Sequence, residues 1–328
     1  MPLNCVGKRQ WRPCASIATL RRRAEVVQQI RCHFAATNVL EVETPLLMPC
    51  GSPDPALHSF LVHPQAGAPS EVSGYLQTSP EFAMKRLLAA GSGDIYQLCH
   101  AFRVEHSGRH HLHEFTLVEW YRLNFDHHRL MDDVQALVNR VLPELVFVRT
   151  SYAELFRQHT GLDPHRATTG ELAVAAVRRG LELGADRDDR ATLLEALFAD
   201  LFLRNCPPTQ GLFIYDFPVE HAAYARIDPG PPPAAQRFEL LIGGIEIANG
   251  YFEVVDPAEQ QARQFQENLK RTRRGLPEID PDPLLFAAMA HGMPNCAGVA
   301  LGLERLLMLC TGQDSVSAVT TFADFAAN

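Results

Sequence analysis

Apolar residues recur every three or four positions between Val26 and Phe34, where Val26, Val27, Ile30 and Phe34 form one stripe. That spacing predicts an amphipathic helix. Ser16 or Thr19 would cap it, Ala36 lies near its end, and Asn38 suits the left-handed position beyond. Residues 40–47, LEVETPLL, change to a strand pattern in which Pro45 cannot serve an interior ladder. A strand over Tyr75–Gln77 leads through Thr78-Ser79 to a helix with Pro80 at its first position, Glu81 in its first turn and Gly91 at its close. Asp94–Glu105 and Glu114–Tyr121 read as antiparallel strands joined by the polar loop HSGRHHLH. Four amphipathic patterns between 129 and 205 predict a mostly helical insertion beside the sheet, over residues 129–141, 152–159, 169–179 and 191–204. Phe213, Tyr215 and Phe217 alternate in a further strand before Pro218. Asp256-Pro257-Ala258-Glu259 starts a helix that runs to about Arg274. From Gly298 a glycine-punctuated strand passes directly into an apolar helix carrying Glu304 and Arg305. Residues 1–15 have little periodicity and read as an irregular arm.

The stretch that organises the chain is Phe238–Glu253, FELLIGGIEIANGYFE. It is apolar enough to be buried strand, yet it contains Glu239, Glu246 and Glu253. Buried carboxylates need a cation, a donor or a proton. Period two places Asn249, Tyr251 and Glu253 on one face. A turn at Gly243-Gly244 would bring Glu239 and Glu246 together. Such a pair suits a divalent cation shared with phosphates, and a third acid beside Tyr and Asn suits an ammonium group. A solvated edge strand is the plain alternative.

Composition narrows the classes. The chain has 328 residues, 46% hydrophobic and 21% charged, within the range of one large globular domain. Its net charge of −8 argues against a broad grip on nucleic acid. Eight dispersed cysteines without a CxxC pair read as reduced thiols, which points to the cytoplasm. No apolar run is long enough to cross a bilayer, and the first residues lack the apolar core of a signal peptide.

On the predicted hairpin Arg103 and Glu105 share a face, as do Phe115, Leu117, Glu119 and Tyr121. An arginine offers bidentate contacts to phosphate or carboxylate, and an aromatic ring offers a stacking surface for a base. Arg109, His110, His111 and His113 crowd the loop; contact with solvent or anions explains them better than a metal site, for no Cys/His ligand set accompanies them. Glu81 either complements its helix or faces a substrate amine. The basic end of the 256–274 helix, KRTRRG, either complements that helix or meets an acidic macromolecule.

Taken in order, these segments resemble the class II aminoacyl-tRNA synthetase catalytic domain, in its lysyl branch, from about residue 16 to the end. The first helix with LEVETPLL resembles motif 1, AFRVEHSGRHHLHEFTLVEW motif 2, GVALGLER motif 3, and ELLIGGIEIANGYFE the lysyl-specific segment. The resemblance implies an α+β fold, an antiparallel sheet flanked by helices, and a homodimer through motif 1. It implies that Arg103 binds the α-phosphate and the amino-acid carboxylate, that Glu105 and His111 contact ATP, that Phe115 stacks on adenine and that Arg305 holds the γ-phosphate. Glu239 and Glu246 would hold Mg2+. Glu81 would meet a substrate amino group, and Glu119, Tyr121, Asn249, Tyr251 and Glu253 would form the rest of a lysine pocket.

Departures from the lysyl pattern point further. Motif 1 begins almost at once, and sixteen residues cannot make the anticodon-binding barrel of a lysyl-tRNA synthetase. Ala300 stands where glycine is usual in motif 3, and its methyl would narrow the amino-acid pocket. HHLHEF replaces the usual HNPEF in motif 2. The chain thus resembles the truncated lysyl-synthetase paralogues that attach lysine, preferably (R)-β-lysine, to a lysine of translation elongation factor P. The expected activity is an ATP-dependent, AMP-forming ligation with tRNA an unlikely acceptor. The alternatives are a minimal lysyl-tRNA ligase and a silent paralogue that acts by binding.

Overall fold

The computed structural model describes residues 11–63, 74–105, 108–182, 189–203 and 206–323. Most of the arm (1–10), loop residues 106–107 and the end of the fourth predicted helix (204) lie outside the described residues. The first helix, α1, spans Ile17–Ala36. Ser16 caps it, its Oγ accepting from the Thr19 backbone N–H at 3.1 Å. Val26, Ile30 and Phe34 are fully buried, Val27 is half-buried, and Asn38 takes φ +56°.

The predicted LEVETPLL strand is divided. β1 (Leu40–Glu41) joins the main sheet, while β2 (Leu47–Met48) joins a small second sheet with β3 (Leu61–Val62) and β4 (Gly74–Leu76). Pro45 lies between them, where it has no N–H to continue a ladder. Next come α2 (Glu81–Ala89), with Pro80 at its cap rather than its first position, then β5 (Ile95–Phe102), β6 (Glu114–Leu123) and α3 (His127–Val141). β5 ends three residues earlier than the pattern predicts, although the Arg103 N–H still donates to the His113 carbonyl.

The stretch expected to be helical from 129 to 205 also holds a strand, β7 (Val146–Ser151), paired in parallel with β8 (Gln210–Phe217). Val146 and Val148 are exposed there, so β7 is a sheet edge. Moreover, α3 packs in the main core with α1. It is α4 (Tyr152–Thr160), α5 (Thr169–Arg178) and α6 (Arg190–Phe198) that build a separate apolar cluster, around Tyr152, Phe156, Leu193 and Phe217.

β9 (Ile227–Asp228), β10 (Ala234–Ile242) and β11 (Ile245–Phe252) follow, then α7 (Pro257–Arg273), α8 (Pro283–Gly292), β12 (Cys296–Gly302) and α9 (Leu303–Thr311). The main sheet runs β1-β5-β6-β12-β11-β10-β8-β7, with β9 beside β10. Every pairing from β5 to β8 is antiparallel. One sheet face packs on α1, α3 and α9 through Trp120, Phe238, Val299 and Leu306. The opposite face carries the polar residues singled out above.

Candidate active site

The β10–β11 turn is the bend predicted at Gly243-Gly244. Both residues take positive φ, +59° and +76°, as a two-residue hairpin whose twist matches its strands requires. Along β11, Glu246 is nevertheless out of phase with Asn249, Tyr251 and Glu253 for a regular strand. A bulge resolves this: Leu240 pairs with Ala248 but Leu241 with Glu246, leaving Ile247 as the extra residue. Ile247 and Ala248 enter the core, and Glu246 shares the polar face with Glu239.

On that face the register builds two adjacent rows. Glu239, Asn249, Ala300, Glu119 and Gln97 lie side by side across β10, β11, β12, β6 and β5. The next row is Arg237, Tyr251, Gly298, Tyr121 and Ile95. Ala300 therefore stands between Glu119 and Asn249. At Gly298 a Cβ would lie 2.3 Å from the Tyr121 ring and 2.5 Å from Glu253 Oε1, so glycine is what lets the two side chains fit.

A cavity of about 840 Å³ opens on this face, and Glu81, His111, Glu239, Glu246, Tyr251 and Arg305 line it. Arg103, Glu105, Phe115, Glu119, Tyr121, Asn249, Glu253 and Ala300 are not in that lining. Glu119, Tyr121 and Glu253 are almost wholly buried.

Arg305 joins three segments at the rim. It donates to the Glu246 carbonyl at 2.9 Å, to the His110 carbonyl at 3.3 Å and to His111 Nε2 at 3.0 Å. Its guanidinium also lies 3.5 Å from Glu246 Oε2. Burial, and then Arg305, hold His111 below the usual imidazole range, so its ring is neutral near pH 7. Glu105 Oε2 lies 3.9 Å from the same ring nitrogen. The Arg103 guanidinium stands 5.1 Å from the centre of the Phe115 ring, within cation–π range. Behind them Glu304 accepts from the Thr116 N–H at 2.9 Å and from Arg23 at 3.2 Å, fastening α9 to β6 and α1.

Glu239 is held by Arg237, which also donates to Asn249 Oδ1 at 3.1 Å and to the His221 carbonyl at 2.7 Å. Burial lifts the Glu239 carboxyl; Arg237 opposes that lift and Glu246 adds to it. Glu119 accepts from Ser79 Oγ and from the Tyr121 hydroxyl, both at 2.8 Å. Burial, with the neighbouring Glu81 charge, pushes its carboxyl up to about 8. Glu81 and Glu253 are bridged by Lys85, whose Nζ lies 2.6 Å from Glu81 Oε1 and 2.8 Å from Glu253 Oε2. Burial opposes the charge on Lys85, but the Glu253 and Glu81 carboxylates outweigh it and raise its pKa.

Lys85, Arg237 and Ser79 escape the sequence reading. Lys85 stands four residues after Glu81 on α2, the spacing of a helical ion pair. Arg237 is two residues before Glu239 on the same strand face, just ahead of the stretch taken as central. The KRTRRG cations divide in role. Arg271 is buried and donates to the Pro277 carbonyl at 2.8 Å, whereas Lys270, Arg273 and Arg274 line the cavity. Among the described residues, the three side chains spaced to hold a metal are His127, His128 and Asp216, outside the cavity lining, rather than the loop histidines.

Residues 10–326 match the family model of class II tRNA synthetases (D, K and N). The chain belongs to that family. Within it, the chain is 46% identical to the elongation factor P–(R)-β-lysine ligase of Vibrio cholerae, over 95% of this chain and 97% of the relative. Ligases of the same name from Vibrio vulnificus and Pectobacterium carotovorum are 44% and 43% identical, with the same coverage. The class II membership accounts for the antiparallel sheet flanked by helices and for the polar face between β6, β12 and β11. Among the described residues no helix is long and apolar enough to cross a membrane.

Proposed function

We propose that this chain activates (R)-β-lysine or lysine with ATP and transfers it to the ε-amino group of a lysine on translation elongation factor P. The observation that carries this is the 46% identity, over nearly the whole of both chains, to a relative whose name states that ligation. It also favours a protein acceptor over tRNA. The site's chemistry supports it: cationic and aromatic groups for a nucleotide meet a set of carboxylates for ammonium groups.

In this reading the substrate carboxylate attacks the α-phosphate, pyrophosphate leaves, and an aminoacyl-adenylate forms. The acceptor amine then attacks the adenylate carbonyl, loses a proton and expels AMP, leaving an amide. Arg103 binds the α-phosphate and the substrate carboxylate, and Arg305 the γ-phosphate. Glu105 and His111 contact ATP, and Phe115 stacks on adenine. Arg305 is already held in place by Glu246 and His110, so little is lost in ordering it. Glu81, Glu119 and Glu253 receive the ammonium groups, with Tyr121, Asn249, Tyr251 and Ala300 shaping the pocket.

Glu239 and Glu246 fit a Mg2+ ion. Their carboxylates share the polar face, Glu246 raises the pKa of Glu239, and hard oxygen donors suit the metal. When bound, the ion would offset phosphate charge. The exposed Leu40, Leu46 and Leu47, in the segment that follows α1, support a homodimer face. We place the enzyme in the cytoplasm with its acceptor. ATP–pyrophosphate exchange tests the activation half. Exchange should depend on lysine or (R)-β-lysine, and exchange with neither would overturn the reading.

A further inference from the structure

Lys85 is fully buried, yet among the described residues its ammonium partners are side-chain carboxylates rather than backbone carbonyls. Its ammonium is spent on two carboxylates from distant parts of the chain, Glu81 at 2.6 Å and Glu253 at 2.8 Å. The Tyr224 ring closes over it, with its centre 5.3 Å from Nζ. A third acid, Glu119, belongs to the same group, hydrogen-bonded to Ser79, whose Oγ in turn accepts from the Glu81 N–H at 3.0 Å. Two carboxylates therefore hold one internal ammonium, and a third stands in the same hydrogen-bonded group. With all three ionised, two negative charges remain unmatched, and a diamino acid brings two ammonium groups.

We propose that Lys85 is a positioning and specificity-determining residue of the diamino-acid pocket: by bridging Glu81 and Glu253 it fixes both carboxylates and sets the local charge to match two substrate ammonium groups. The assignment rests on the proposed function. Lys85 acts through the carboxylates. It engages Glu81 through Oε1, which leaves Oε2 of that residue for a substrate amine. It also keeps Glu253, buried beneath Gly298, from standing as an isolated charge. Without Lys85 the three acids repel one another and take up a proton. The pocket then loses the fixed charge that separates a diamino acid from a monoamino acid of the same length.

The test compares the wild-type protein with Lys85→Met and Lys85→Arg in ATP–pyrophosphate exchange, using (R)-β-lysine, lysine and the monoamino analogues 3-aminohexanoate and norleucine. Lys85→Met should raise KM for the diamino acid by about tenfold or more while KM for ATP stays within about twofold. The preference for diamino over monoamino substrate should fall, and the KM–pH profile should move to higher pH. Lys85→Arg, which keeps the charge, should retain the preference and the profile even where turnover drops. A purely structural lysine would instead change stability, KM for ATP and turnover together and leave the substrate preference intact; that result overturns the proposal. If Lys85→Met does not fold, Lys85→Gln takes its place as the variant without the charge: a fall in the preference supports the assignment, and an intact preference contradicts it. Failure of the wild-type protein to activate either lysine would instead refute the proposed function.

Discussion

Ala300 of β12 lies directly opposite Glu119 of β6 and, on its other side, Asn249 of β11. Its methyl thus stands in the row that leads from the buried acid to the Asn249 amide and on to Glu239. Ala300→Gly should widen this row where the substrate would cross it and relax discrimination between α- and β-lysine. One methyl is worth about 1–3 kcal/mol in a pocket, or roughly 10- to 200-fold in the ratio of kcat/KM values. Exchange kinetics with both isomers give that ratio directly, and an unchanged ratio would remove Ala300 from the pocket.

Gly298 makes the opposite case. A Cβ there meets Tyr121 and Glu253 at distances no real contact allows. Gly298→Ala should cost about 1–3 kcal/mol of stability by overpacking, visible as a lowered Tm, and weaken diamino-acid binding. A protein of unaltered Tm and KM would show that the two side chains have room to move.

The Glu119 carboxyl gives the pocket a pH dependence. Burial pushes it up to about 8, so without substrate it is neutral at pH 7. An ammonium group binds the ionised form, so substrate binding below pH 8 releases a proton. KM for the diamino acid should fall as pH rises towards 8, by up to about tenfold per pH unit, and level off above. The stability contribution has the opposite sense. The folded state binds the extra proton, so Glu119 favours folding at low pH and loses that contribution as pH rises through about 8. Glu119→Gln should flatten both profiles. A KM that stays flat from pH 6 to 8 in the wild-type protein would contradict this assignment.

Arg305 is anchored by carbonyls of the β10–β11 hairpin and the motif 2 loop, and its side chain is partly exposed. Arg305→Ala should leave the fold intact and reduce adenylate formation by about 10²–10³-fold, the scale of losing a preorganised charge-stabilising donor. Exchange rate and Tm measured together decide it: wild-type exchange by the variant would refute the role given to Arg305.

Much of this site is legible in the sequence, because local pattern fixes face and order. Period two through Asn249, Tyr251 and Glu253 and the Gly243-Gly244 turn need only neighbours in the chain. The phase of Glu246 does not, since the bulge at Ile247 is set by pairing with β10 and by the core beneath. Lys85 has the sequence pattern of a surface cation; only the arrival of Glu253 from β11's end makes it a buried one. β7 is hidden for a similar reason. Its three apolar residues stand between helices, and its partner β8 lies some sixty residues on. Pro45 marks the end of β1 but not that the chain then joins a different sheet.

The most direct test of the account presents two acceptors side by side. The purified protein receives ATP, Mg2+ and labelled (R)-β-lysine, with elongation factor P in one tube and bulk tRNA in the other. Label should appear on elongation factor P and survive mild alkali, as an amide does, with little on tRNA. Alkali-labile label on tRNA, with elongation factor P unlabelled, would contradict the proposed function.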